Sequence, residues 1–178
     1  MLFKVIKVVG LVLIANAITF FLSSSCIAAE SITRDLFAAA SVVAKCTINT
    51  TPVNFGTYNP LLNKPVIASG TITVTCTKGT NAIVSLSDGK NGIRRMQNEK
   101  GAYLTYELYK PSGVIPGATC AYIDRWGTKD KNQGLSLEAA LSKDPRTYNV
   151  CGQISATADN ARASVGHYTD VVLATMEF

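Results

Sequence analysis

The sequence predicts an all-β sandwich that stops one strand short of completing its sheets. Short runs rich in β-branched and aromatic residues recur along the chain, and Gly, Pro, Asn and Asp turn signals separate them. The last run, Gly166 to Phe178, reads as a long strand that reaches the final residue with nothing left to pair beside it. Together with an alternating apolar stretch ahead of Cys46, that ending describes a subunit that completes a neighbour's sheet and has its own completed in return.

The elements follow from residue 30 onward, because residues 1–29 read as a secretory signal peptide. Lys4 and Lys7 precede an apolar run, Val8 to Leu22, that is followed by small residues and Ala28-Ala29. At 15 residues the run falls short of the about 20 that a membrane-spanning helix needs. Cys26 invites a lipoprotein reading, but Leu22 stands one place out of register for it, and cleavage near Ala28 or Ala29 discards Cys26.

The predicted strands are Val42–Ile48, Gly70–Cys76, Ala82–Ser87, Tyr103–Tyr109, Gln153–Ala158 and Tyr168–Phe178. Gly70-Thr-Ile-Thr-Val-Thr-Cys76 alternates strictly, which places Ile72, Val74 and Cys76 on a buried face and threonines on a wet one. Turn signals fall at Asn59-Pro60, Asp88-Gly89, Asn91-Gly92, Pro111-Ser112-Gly113 and Asp159-Asn160. One short helix is expected at Leu135–Lys143, capped by Ser136 and stopped by Pro145. The chain shows no repeat, low-complexity tract or interdomain linker.

Residues 30–178 suffice for one domain with a sizeable core and are too few for two ordinary ones. Lys4 and Lys7 account for two of the five net positive charges, and the remaining basic residues are scattered, so nucleic-acid binding has no support. Four cysteines remain, Cys46, Cys76, Cys120 and Cys151, an even number in an exported chain, where oxidation is expected. Four cysteines allow three pairings, and the order of the strands favours Cys46 with Cys76 and Cys120 with Cys151. Each closes a loop of about 30 residues, worth roughly 3 to 4 kcal/mol on the chain-entropy account. A zinc site is disfavoured, since no Cys-x-x-Cys pair occurs and the single histidine, His167, has no cysteine near it in sequence.

Catalytic constellations are nearly absent, so no enzymatic activity, cofactor, metal or small-molecule substrate is expected. One histidine cannot build a two-histidine metal motif, and His167 beside Gly166 reads as structural. There is no phosphate loop, dinucleotide fingerprint or nucleophile elbow. Asp124 with Asp130, or Asp88 with Glu99, has the composition of a glycosidase pair, but nothing in the spacing selects them over solvated loop charges. Asn49-Thr50-Thr51 matches a glycosylation sequon too short to carry weight.

Cys46-Thr-Ile48, Val53-Asn-Phe-Gly-Thr-Tyr58 and Gly70-Thr-Ile-Thr-Val-Thr-Cys76 resemble the opening of a spore coat protein U domain. Arg95-Met96, Leu104-Thr-Tyr-Glu-Leu-Tyr109, Trp126-Gly127, Gly152-Gln-Ile154 and Gly166-x-Tyr-x-Asp170 through Phe178 follow that domain's order and approximate spacing. The resemblance covers nearly all of residues 30–178. It implies an immunoglobulin-like β-sandwich lacking its last strand, as in subunits of archaic chaperone-usher pili of Gram-negative bacteria. The implied partners are identical or related pilin subunits, a periplasmic chaperone and an outer-membrane usher. The implied location is the periplasm and then an extracellular fibre that serves adhesion and biofilm formation. Cys120 and Cys151 look additional to the one disulfide expected of the family, and they enclose Trp126-Gly127 and the helix-like segment.

The resemblance divides the chain into a signal peptide, 1–29, a donor segment, 30–45, and a pilin-like domain, 46–178. An open edge beside an apolar groove aggregates unless covered, so a chaperone strand and then a neighbour's strand are expected to fill it by β-strand addition. Alternation allows two donor registers, one presenting Ile32, Leu36, Ala38 and Ala40, the other Phe37, Ala39 and Ser41, and a one-residue slip exchanges them. The acceptor face is expected from Tyr168, Val172, Ala174, Met176 and Phe178. Val171 and Leu173 lie opposite, and two apolar faces point to a central strand. The family pattern also implies that Phe178 and its carboxylate register the subunit on basic chaperone residues. A tip adhesin would need a second receptor-binding domain, for which 149 residues leave no room. The alternative is a self-contained coat or binding protein whose N-terminal segment pairs within its own sheet.

Overall fold

The computed structural model describes residues 29–178, so the signal-peptide reading of residues 1–29, with Cys26, falls outside the described residues except at Ala29. Two compact units divide at residue 40. Residues 29–40 carry neither helix nor strand, and their side chains are exposed.

Residues 41–178 form a β-sandwich with ten strands. They are β1 Cys46–Thr51, β2 Val66–Cys76, β3 Ala82–Leu86, β4 Arg95–Gln97, β5 Tyr103–Thr105, β6 Glu107–Pro111, β7 Cys120–Arg125, β8 Leu135–Leu137, β9 Arg146–Ile154 and β10 Ala174–Glu177. One sheet runs β1-β2-β9-β6-β7, the other β10-β3-β8, with a separate β4-β5 ladder. Gln97 bridges Thr169, which ties that ladder to the segment leading into β10.

Alternation builds the core. Ile72, Val74 and Cys76 of β2 are buried as expected, against Tyr148 and Val150 of β9 and Val84 and Leu86 of β3. Threonines occupy the outer face of β2, and Thr73 Oγ1 lies 2.9 Å from Thr147 Oγ1 across the β2–β9 pair. Trp126, 1% exposed, sits at the end of β7 and donates from Nε1 to the Val84 carbonyl at 2.8 Å. The indole thereby fills the core while its one polar atom is satisfied. Disulfides join Cys46 to Cys76 and Cys120 to Cys151.

Several expected elements differ, each for a tertiary reason. Leu135–Lys143 is no helix. Leu135 and Leu137 are buried with Ser136 exposed, a period of two that pairs against Ala82–Val84 as β8. The strand expected at Gln153–Ala158 lies earlier, at Arg146–Ile154, because Tyr148 and Val150 point into the core while the backbone bonds both β2 and β6. Tyr103–Tyr109 divides at Tyr106, where the chain leaves the ladder with β4 and joins β9 as β6. The first strand begins only at Cys46. β4 and β7 were not anticipated, being short or irregularly paired. The last strand is four residues long, since Ser87 N donates to Leu173 O and Lys90 N to Val171 O, a spacing that breaks the ladder. It is also not central. β10 bonds β3 alone, leaving its other edge without a partner strand among the described residues.

Candidate functional site

The unpartnered edge of β10 borders a groove that opens into the core. Its far wall is the chain after β1, where Val53 and Phe55, two residues apart with Asn54 between them, turn their side chains inward. Its near wall is the run into β10, where Tyr168, Val172, Ala174 and Met176 are half-buried against the core. The floor is core itself, including Ile72, Leu86 and Leu108. A cavity of about 240 Å³ lies toward β10, and one of about 420 Å³ lies toward Tyr58, Leu104 and Tyr168; both are lined by Val53, Phe55 and Met96. The groove is therefore the uncovered inner face of a sandwich, apolar because those positions would otherwise be sealed.

Two glycines and one network hold its walls. Gly152 of β9 has no side chain on the face that Val53 and Phe55 cover; a Cβ there would lie 2.5 Å from Val53 Cγ1 and 2.8 Å from Phe55 Cζ. Phe55 meets Tyr106 edge to face at 5.9 Å between ring centres. The Tyr106 hydroxyl donates to Asp170 Oδ2 at 2.8 Å, and Asn91 N and Nδ2 both lie 3.3 Å from Asp170 Oδ1. Burial, then the hydrogen bond to Asp170, hold the Tyr106 pKa well above the ordinary tyrosine value. Gly89, at φ 86°, keeps clear the space occupied by the Asp170 carboxylate.

Of the five residues expected on the acceptor face, Val172 and Ala174 line the cavity toward β10 and Tyr168 lines the one toward Tyr58, while Met176 packs against the core and lines neither. Phe178 does not join them; it is 56% exposed and lines a separate cavity with Val42, Val43 and Thr77. Val171 and Leu173 face outward, 60% and 66% exposed, as an edge strand allows. In residues 29–40, Ile32, Leu36 and Phe37 are 73%, 95% and 90% exposed, and Ala39 is also exposed. The residues that sequence reasoning missed are Val53, Phe55 and Met96. The alternation Val53-Asn54-Phe55 was the available signal, but it lies outside any regular strand.

His167 is exposed at the rim of the larger cavity, and no cluster of three metal-ligating side chains occurs among the described residues. Asp88 is ion-paired to Lys131 at 2.7 Å, while Asp124, Asp130 and Glu99 are exposed outside the groove.

The family model described as Spore Coat Protein U domain matches residues 32–175. Among solved structures, the chain is similar to one in the CsuC-CsuE chaperone-tip adhesion subunit pre-assembly complex from archaic chaperone-usher Csu pili of Acinetobacter baumannii. The identity is 27% and the TM-score 0.51, over 77% of this chain and 40% of that one. This chain thus spans about two-fifths of the length of the solved chain. No curated protein matches.

Proposed function

Because the chain belongs to the spore coat protein U domain family, we propose that it is a structural subunit of a chaperone-usher pilus, polymerised by donor-strand exchange and serving adhesion and biofilm formation. The observation that carries this reading is the groove beside β10. An apolar cleft bounded by an edge strand with one partner has the form that β-strand addition fills, with backbone hydrogen bonds to the edge and alternate side chains in the cleft.

The donor is the segment 30–45 of a neighbouring subunit, in which Ile32, Leu36, Phe37 and Ala39 supply the inserted face in one register or the other. Leu36 and Phe37 are adjacent, so a strand turns only one of them into the groove. Burying a side chain of that size contributes about 1.5–3 kcal/mol, and four residues of edge add backbone pairing. Before assembly a periplasmic chaperone strand covers the same groove, and an outer-membrane usher exchanges it for the donor. Phe178 and its carboxylate, outside the groove wall, serve as the chaperone contact.

The test is expression of residues 30–178, and of a form lacking residues 30–40, in a periplasm with a matched chaperone and usher, followed by unheated denaturing gels. Heat-sensitive multimers from the longer form alone are expected. A monomer band from both forms, with the longer form folding without chaperone, would leave the self-contained coat or binding protein instead.

A further inference from the structure

The groove carries a charge as well as a shape. Asp170, half-buried, is the one carboxylate that lines its two cavities, and no lysine or arginine lines either of them. Among the described residues it takes part in no ion pair. Its partners are neutral. The Tyr106 hydroxyl donates to Oδ2, while the Val171 and Asn91 backbone amides and Asn91 Nδ2 gather at Oδ1. A carboxylate oxygen accepts two bonds, so Oδ2 keeps one position for a further donor.

Asp170 also sits at the middle of the groove. Residues 168, 170, 172 and 174 are half-buried, whereas 169, 171 and 173 are exposed. Thr169 exchanges backbone bonds with Gln97, and the Val171 and Leu173 carbonyls accept from Lys90 and Ser87. The backbone groups of Asp170 and Val172 bond nothing among the described residues, and alternation turns them toward the open edge. Tyr168 lines the larger cavity and Val172 the smaller, each two residues, or about 7 Å, from Asp170.

The donor segment mirrors this arrangement. Arg34 and Asp35 are adjacent and opposite in sign, so each candidate register brings one charge to the groove. Ile32, Leu36, Ala38 and Ala40 share a face with Arg34, and Phe37, Ala39 and Ser41 share one with Asp35. Asp35 would be buried against a like charge with no cation on the lining, whereas Arg34 meets its opposite. With Arg34 opposite Asp170, Ile32 and Leu36 fall opposite Tyr168 and Val172, one to each cavity, whichever way the donor runs. Phe37 then turns to the outer side, where Val171 and Leu173 are exposed.

We propose that Arg34 fixes the register of the donor by docking opposite Asp170 of the neighbouring subunit, with Ile32 and Leu36 inserted and Phe37 outside. The proposal rests on the reading of residues 30–45 as the donor. One buried charged pair in an otherwise apolar seam penalises every other alignment, because a one-residue slip presents Asp35 and a two-residue slip leaves both charges unmatched.

The test is competition between peptides of residues 30–45 and a fluorescent parent peptide for the chaperone-held subunit, residues 30–178, read by anisotropy. Arg34→Glu and Leu36→Ala should each weaken the peptide about tenfold or more, while Asp35→Asn and Phe37→Ala change it about threefold or less. In an Asp170→Asn subunit the Arg34→Glu penalty should fall to about threefold or less. The peptide comparisons use the unaltered subunit, so they decide the register even if Asp170→Asn does not fold. Parent-like binding of Arg34→Glu, a larger loss from Phe37→Ala than from Leu36→Ala, or an undiminished Arg34→Glu penalty in a folded Asp170→Asn subunit would each overturn the register and leave the donor reading standing. A parent peptide that does not bind would overturn both.

Discussion

Replacing Gly152 with alanine should weaken donor binding more than it weakens the domain. The new Cβ would lie 2.5 Å from Val53 Cγ1 and 2.8 Å from Phe55 Cζ. Carbon atoms rest at about 3.5–4.0 Å, so both side chains must recede by about 1 Å. Overpacking of this kind costs about 1–3 kcal/mol in a closed core. In the empty groove the two side chains relax into open space, and the free domain loses about 1 kcal/mol or less. With a donor strand seated, that escape is blocked and the full cost returns.

The assay is urea unfolding of residues 41–178 with and without a synthetic peptide of residues 30–45. At one hundred times its dissociation constant the peptide should stabilise the parent domain by about 2.7 kcal/mol. Gly152→Ala should reduce its affinity roughly tenfold or more, the equivalent of about 1.4 kcal/mol. Unchanged peptide affinity in the variant would refute the reasoning, because it would mean that Val53 and Phe55 do not form a wall the donor touches.

Three further outcomes follow from the packing. Trp126→Phe removes buried volume from a side chain that is 1% exposed, together with its hydrogen bond to the Val84 carbonyl, so stability should fall by about 1–3 kcal/mol, read as a lower urea midpoint. Asn160→Ala should cost about 2–4 kcal/mol by the same measurement. Asn160 Oδ1 accepts from Thr105 N and Oγ1, while Nδ2 donates to the Thr105 and Ser155 carbonyls at 2.9 and 2.8 Å. Alkaline pH should destabilise the fold. The Tyr106 pKa is raised in the native state, so its contribution is intact below the ordinary tyrosine value of about 10 and is lost as pH climbs beyond it. Tyr106→Phe should flatten that part of the pH–stability curve, leaving the smaller slope from Tyr148, also raised by burial.

Much of the sandwich was legible because alternation is a local property. Gly70–Cys76 declares its buried face in seven residues, and β2 follows it. The helix expected at Leu135–Lys143 shows the limit of such reading. A three-residue strand has too few positions to separate a period of two from 3.6, and only the ladder with Ala82–Val84 decides it. The groove was half legible. Val172, Ala174 and Met176 could be placed on one face from their spacing, but Phe178 leaves that face at the strand's end. Val53 and Phe55 become a wall only because Gly152, nearly a hundred residues away, leaves room for them.

By itself the sequence determined the composition of the molecule's surfaces: an all-β chain, four cysteines for two bridges, and a last apolar segment with more hydrophobic faces than a solvated strand needs. The tertiary structure alone decided that the regular part of the last strand shrinks to Ala174–Glu177 and bonds β3 alone. It also decided that the groove runs between Val53 and Val172. Side-chain alternation is set within a few residues by backbone geometry, whereas an open edge, a cavity or an unmatched charge exists only relative to segments distant in sequence.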